Sequence, residues 1–326
     1  MKRHPAPPSQ VSPQIAELLQ LAADLRELPR DTFKARLRDE LIGEAQVGGK
    51  PLITYEDIMQ RLVEIEHEPK LVPYDVRAAL RGLPDSAMRF ITPMDEWILN
   101  VSAGREHSHW EKHNGDELLY VIDGAADIKI ATVDGLKTTR LESGSLFVCP
   151  DGLWHMLVPR GRVEAFYATP RDTEASDTKN PPRPPKPKRK PHKAKPQHYV
   201  AHDLNAILRD LPELRITDET TKEEADAAVH TIGAMGDRSL GVMRFSGPTP
   251  WERHGGDELL YVFEGGVDLT TLTDDGPVER RIEAGSFFVC PRGLWHCQAA
   301  RPSAAILYGT PAKTSQHSFA EDPRLE

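Results

Sequence analysis

The chain has 326 residues, 39% of them apolar, with 28 prolines and a formal net charge of −9. That length predicts two or three compact units, each able to bury a core. No run of about 18 apolar residues occurs, and Met1 to Gln14 is proline-rich and polar, so neither a membrane span nor a secretory signal is expected and the protein reads as cytoplasmic. The three cysteines are an odd number, which argues for buried thiols over a disulfide framework.

The first elements are helical. Ile15, Leu18, Leu19, Ala22 and Leu25 recur at three-four spacing, Phe33, Leu37 and Leu41 continue it, and a third helix is expected from Thr54, with Ile58, Leu62 and Ile65 on one face. Residues 1–86 are therefore expected to form a helical N-terminal segment behind a disordered start, suited to packing or homo-oligomer contact.

From Trp110 the pattern changes to short apolar runs separated by Gly, Asp and Pro. Trp110 to Pro170 aligns with Trp251 to Pro311 at a constant offset of 141 without a gap. The copies share Trp-Glu-x-His-x-Gly-Asp-Glu-Leu-Leu-Tyr-Val and Phe-Val-Cys-Pro-x-Gly-Leu-Trp-His, and Cys149 and Cys290 occupy matching places. Asp134-Gly135 and Asp275-Gly276 are equivalent hairpin turns, and Glu96 to Val101 and Ser239 to Phe245 add strands upstream. The expected division is a first β-module over 87–172, a linker over 173–198, and a second module with a short leading helix over 199–326.

Between the modules, Lys179 to Lys195 carries eight Lys and Arg among prolines and no acid. Such a composition favours an extended, solvated linker. The modules themselves are acidic, so nucleic acid is not expected as a partner of the whole protein, and the basic stretch alone is left to touch an anionic one.

The chemistry concentrates in Glu111, His113, Glu117 and His155, repeated as Glu252, His254, Glu258 and His296. Imidazole and carboxylate are ligands for divalent zinc, iron, manganese, nickel or copper, and strand alternation sends 111 and 113 to one face. Glu117 follows the Asn114-Gly115 turn, which returns the next strand to the same centre. Trp154 and Trp295 are expected to point away from the distal histidines into packing. Cys297 is not expected to be a ligand. Asp116 and Asp257 either close a turn or orient a ligating imidazole.

These residues resemble the cupin superfamily. Its first motif is matched by His113, Glu117 and Gly124 and by His254, Glu258 and Gly265. Its second is matched by Gly144, Pro150, Gly152 and His155 and by Gly285, Pro291, Gly293 and His296. The chain departs from the pattern where Glu111 and Glu252 replace the first histidine of the His-x-His pair. The resemblance implies a mainly β fold of two tandem cupin-type barrels (double-stranded β-helix, jelly roll) with an α-helical N-terminal segment. It also implies up to one divalent metal per barrel, iron first and manganese, nickel or zinc after it.

Many two-module cupins are dioxygenases or decarboxylases, gentisate dioxygenases and oxalate decarboxylases among them. The leading expectation is accordingly a metal-dependent, dioxygenase-like oxidoreductase acting on a small organic molecule. Glu111 and Glu252 are its candidate catalytic residues as well as candidate ligands. A non-catalytic binding or sensing protein, and a metal-assisted isomerase or decarboxylase using those glutamates as bases, remain alternatives.

Overall fold

The computed structural model describes residues 70–182, 199–217 and 219–325, which fall in one compact unit. The helices expected between residues 15 and 65, and residues 183–198 of the linker expected over 173–198, lie outside the described residues, whereas the start of that linker, Thr173–Ser176, is a strand paired with Trp110–His113 of the first repeat. What is described is mainly β.

In the first repeat two sheets form. One orders the strands His202–Asp203, Ser145–Cys149, Glu117–Asp123, Val163–Pro170, Trp97–Gly104 and Ala87–Met94. The other orders Thr173–Ser176, Trp110–His113, His155–Pro159, Ala125–Thr132 and Gly135–Glu142. The second repeat reproduces these pairings, but Glu258–Thr273 and His296–Pro311 run through as single long strands with bulges, so its strands join into one ten-stranded sheet. The upstream strands expected from sequence are present as Trp97–Gly104 and Arg238–Pro248.

The turn chemistry explains these paths. Thr132 pairs with Gly135 and Thr273 with Gly276, and in both hairpins the Thr hydroxyl donates to the Gly carbonyl at 2.7 Å. Gly124 (φ +82°) and Gly265 (φ +69°) lie where a strand bends between the two sides of its repeat. A Cβ there would collide with the carbonyl oxygen of Arg162 or Ser303, so only glycine satisfies both the conformation and the space.

The two repeats exchange their leading segments. Tyr74–Asp75 pairs with Phe287 and Ser286 of the second repeat, and His202–Asp203 pairs with Leu146 and Ser145 of the first. Asp75 Oδ1 caps the helix Val76–Leu80 through Ala78 N–H at 2.8 Å, and Asp203 Oδ1 caps Leu204–Asp210 through Ala206 N–H at 3.0 Å. Each such cap contributes about 1 kcal/mol. The helix Leu204–Asp210 docks on the Ser145–Cys149 strand of the first repeat.

Three apolar clusters hold this arrangement. One lies between the repeats and includes Trp97, Leu118 and Phe166 with Leu259, Tyr261 and Phe287. Phe166 meets Phe287 with tilted rings at 5.1 Å and Tyr261 edge-on at 5.6 Å. The other two fill the interior of each repeat, around Phe147 and Cys149 in the first and Phe288 and Cys290 in the second. Full burial of one such side chain contributes roughly 1.5–3 kcal/mol. Both matched cysteines are free, buried thiols, as expected, and Cys297 is partly exposed.

Candidate metal centres

The strand Trp110–His113 delivers His113, the next strand begins at Glu117, and His155 opens a distant strand that pairs with Glu111. The topology therefore brings His113, Glu117 and His155 together, with one ligand atom from each lying within 4.8 Å of the others. His254, Glu258 and His296 form the same group in the second repeat. All six side chains are buried.

The distances are close to equal in the two copies. Glu117 lies 3.1 Å from His155 Nε2 and 3.5 Å from His113 Nε2. Glu258 lies 3.0 Å from His296 Nε2 and 3.6 Å from His254 Nε2. The second oxygen of each carboxylate accepts from a threonine hydroxyl, Thr169 to Glu117 at 2.7 Å and Thr310 to Glu258.

Hydrogen bonds on the far side of each ring fix its tautomer. His155 Nδ1 faces the carbonyl of Leu153 at 3.0 Å, and His296 Nδ1 faces that of Leu294 at 3.2 Å. A carbonyl only accepts, so both Nδ1 atoms carry a proton. His113 Nδ1 lies 2.8 Å from Thr173 Oγ1, whose hydroxyl donates to Pro170 O, and His254 Nδ1 lies 2.9 Å from Ser315 Oγ, whose hydroxyl donates to Pro311 O. Those hydroxyls accept from the rings. In all four neutral imidazoles the free lone pair then sits on Nε2, directed at a carboxylate.

Lone pairs and carboxylate oxygens repel unless a cation lies between them. Protons are one solution. Burial opposes charge on His155, but the hydrogen bond and charge of Glu117 outweigh it and raise its pKa. On His296 burial is likewise outweighed, by Cys290 and then Glu258. Burial also opposes ionisation of Glu117 and Glu258, yet their histidine partners hold both well below the usual carboxylate range. A divalent metal is the other solution, and it suits His113 and His254 best, because their buried Nε2 atoms have no hydrogen-bond partner. The donor set, the tautomers and these orphaned nitrogens all fit a metal ion.

Glu111 and Glu252 stand outside the three-residue groups but beside them. Glu252 Oε2 lies 3.8 Å from His254 Nε2. Burial, and then the charge of Glu258, raise its pKa to about 7. Burial and then Glu117 raise that of Glu111 as well.

The remaining sequence candidates take supporting places. The carboxylates of Asp116 and Asp257 accept from backbone N–H groups. Asp116 accepts from Asp151 N at 2.8 Å and Gly236 N at 2.9 Å, and Asp257 accepts from Arg292 N and Asp95 N, both at 2.9 Å. Each aspartate ties the loop before the distal histidine to a turn of the other repeat. Trp154 packs with Trp110 and Ala131 beneath Lys112, and Trp295 lies beneath Arg253. His109 pairs with Asp177 at the surface, and His107 is exposed.

The residues that sequence reasoning missed are the four that support the ligand candidates. Thr169-Pro170 and Thr310-Pro311 repeat at the common offset and could have been found there. Thr173 and Ser315 differ in type and sit one residue out of register, so the repeat did not expose them.

No protein-family model and no curated protein matches this chain. Solved structures do. A single-site variant of salicylate 1,2-dioxygenase from Pseudoaminobacter salicylatoxidans superposes with a TM-score of 0.57 at 15% identity, covering 90% of this chain and 100% of that one. A further structure of that dioxygenase gives 0.54 at 14% identity, covering 87% and 95%. A cupin 2 conserved barrel domain protein from Leptotrichia buccalis gives 0.49 at 11% identity, covering 75% and 98%. The chain thus shares its mainly β fold with these dioxygenase structures, and within that fold its own residues form two His-Glu-His groups.

Proposed function

We propose that the chain is a bicupin, two tandem jelly-roll barrels that each hold one divalent metal, and that it acts as a metal-dependent, dioxygenase-like oxidoreductase on a small organic molecule. The observation that carries the metal assignment is the pair of buried, partnerless Nε2 atoms of His113 and His254, each aimed at a carboxylate with its proton already placed on Nδ1. His113, Glu117 and His155 hold the first ion, and His254, Glu258 and His296 the second. Held by two His and one Glu, a non-haem iron would supply reaction with dioxygen at either centre.

The dioxygenase reading draws support from the fold shared with salicylate 1,2-dioxygenase and from the ligand chemistry. The chain's own residues prepare the site. Thr173 and Ser315 orient the proximal rings, Thr169 and Thr310 hold the carboxylates, and the surrounding apolar cluster excludes water. Glu252, poised near neutrality, is placed either to complete the ligand set or to take a proton from a bound substrate. Glu111 has the same position in the first barrel.

The test is metal content per chain, on protein purified without added metal, for the wild type and for His113→Ala, His155→Ala, His254→Ala and His296→Ala. Two equivalents, with each substitution removing about one, support the assignment, and oxygen uptake by the loaded protein against a panel of small aromatic and aliphatic acids then tests the oxidoreductase reading. Metal content that these substitutions leave unchanged would overturn the assignment.

A further inference from the structure

The two barrels carry the same metal-ligand candidates, yet their interiors differ beside them. Strand alternation puts residues two positions beyond the distal histidine on the same inward face as that histidine. In the first barrel the residue there is Leu157, and in the second it is Gln298. A second exchange lies across the ladder. Thr271 is paired in register with His296, and Ile130 is paired in the same way with His155. The first barrel thus flanks its distal histidine with Leu157 and Ile130, and the second with Gln298 and Thr271.

Gln298 is only 5% exposed, and its Oε1 has no hydrogen-bond partner. Its backbone is satisfied, since Thr249 N donates to Gln298 O at 2.7 Å and Gln298 N donates to Thr249 Oγ1 at 3.0 Å. Only the side-chain oxygen is left wanting. A buried acceptor without a donor is costly, and the equivalent leucine shows that the fold does not require an amide there. Its retention is best explained by something that enters the second barrel and donates to it.

We propose that the second barrel binds a small molecule bearing a hydroxyl group, with Gln298 accepting from that hydroxyl beside the His254, Glu258 and His296 centre, whereas the first barrel is lined for an apolar ligand. Gln298 is a specificity-determining residue and Thr271 adds a second polar contact. The inference rests on the metal assignment above.

The experiment compares the manganese-loaded full chain with its Gln298→Leu and Leu157→Gln variants. Three readouts are taken: bound metal, Tm without added ligand, and calorimetric affinity for glycolate and for methoxyacetate, which lacks the hydroxyl donor. The wild type should prefer glycolate by about tenfold or more, as expected where a buried acceptor meets a ligand that cannot donate. Gln298→Leu should abolish that preference while keeping the metal and raising Tm by a few degrees, because it removes an unsatisfied buried amide. Leu157→Gln should lower Tm.

A Gln298→Leu protein that retains the glycolate preference, or a wild type without one, overturns the proposal. So does a lower Tm for Gln298→Leu, which would mark the amide as a structural hydrogen-bonding group. Failure of the metal assignment is separately visible as fewer than two equivalents of manganese in the wild type, and the Tm comparison then decides the role of Gln298 unaided.

Discussion

Trp97 and Arg238 occupy equivalent positions of the two repeats and stack on each other, the guanidinium carbon 4.4 Å from the indole centroid. Each also reaches the backbone beside a candidate ligand glutamate. Trp97 Nε1 donates to Asp116 O at 2.8 Å, and Arg238 Nε donates to Asp257 O at 3.2 Å. The residues before Glu117 and Glu258 are therefore joined through a single buried contact between the repeats. Asp95 completes it, accepting from Arg238 and Arg292, while Asp95 and Asp257 each donate a backbone N–H to the other's carboxylate.

Arg238→Met should accordingly destabilise the protein by about 3 kcal/mol, the lower end of the cost of breaking a buried ion pair, because the exposed Arg292 still partners Asp95. Urea unfolding measures it. A loss below about 1 kcal/mol would show that the stack and its aspartate add little to the joint between the repeats.

Thr173→Val and Ser315→Ala remove the hydroxyls that hold His113 and His254 by Nδ1. Each substitution should weaken metal binding at its own centre by about 10- to 100-fold and leave the other centre unchanged. Competition with a chromophoric chelator reads both affinities. Equal weakening at both centres, or none, would contradict the fixed-tautomer geometry.

Glu252 gives a pH dependence with a definite sign in chelator-stripped protein. Its folded-state pKa of about 7 lies above the ordinary value of 4.5, so the folded protein binds more protons than the unfolded chain between those values. Stability attributable to this residue is then lost as pH rises through that window. Relative to Glu252→Gln, the wild type should become less stable between about pH 4.5 and 7 and level off above. Parallel stability curves for the two proteins would show that Glu252 is not held protonated by its surroundings.

The ligand candidates and the β architecture were legible because duplication printed them twice. His155 lies 38 residues from Glu117 in sequence, but the repetition of His113, Glu117 and His155 at 254, 258 and 296 singled the three out together. The supporting shell was less visible where the copies diverge, as with Thr173 and Ser315. The role of Asp116 and Asp257 was also hidden, since their partners Gly236 and Asp95 belong to the opposite repeat and long-range pairing leaves no local pattern. Gln298 stood in plain view as a mismatch with Leu157, but only its burial and its unmatched oxygen give that mismatch a meaning.

The exchanged leaders bear on how the molecule can be divided. Each repeat completes one of its sheet edges with a strand and a capped helix that the chain delivers from outside that repeat's own aligned block. Two separate copies of one such repeat would reach the same pairing by trading arms, so the present chain is built like a domain-swapped dimer whose halves have been tethered. The tether raises the local concentration of one half about the other and adds no contact of its own. A cut between residues 183 and 198 would therefore leave two interlocked fragments that purify together, whereas a fragment trimmed to either repeat alone would lose the borrowed strand and expose the edge it covers.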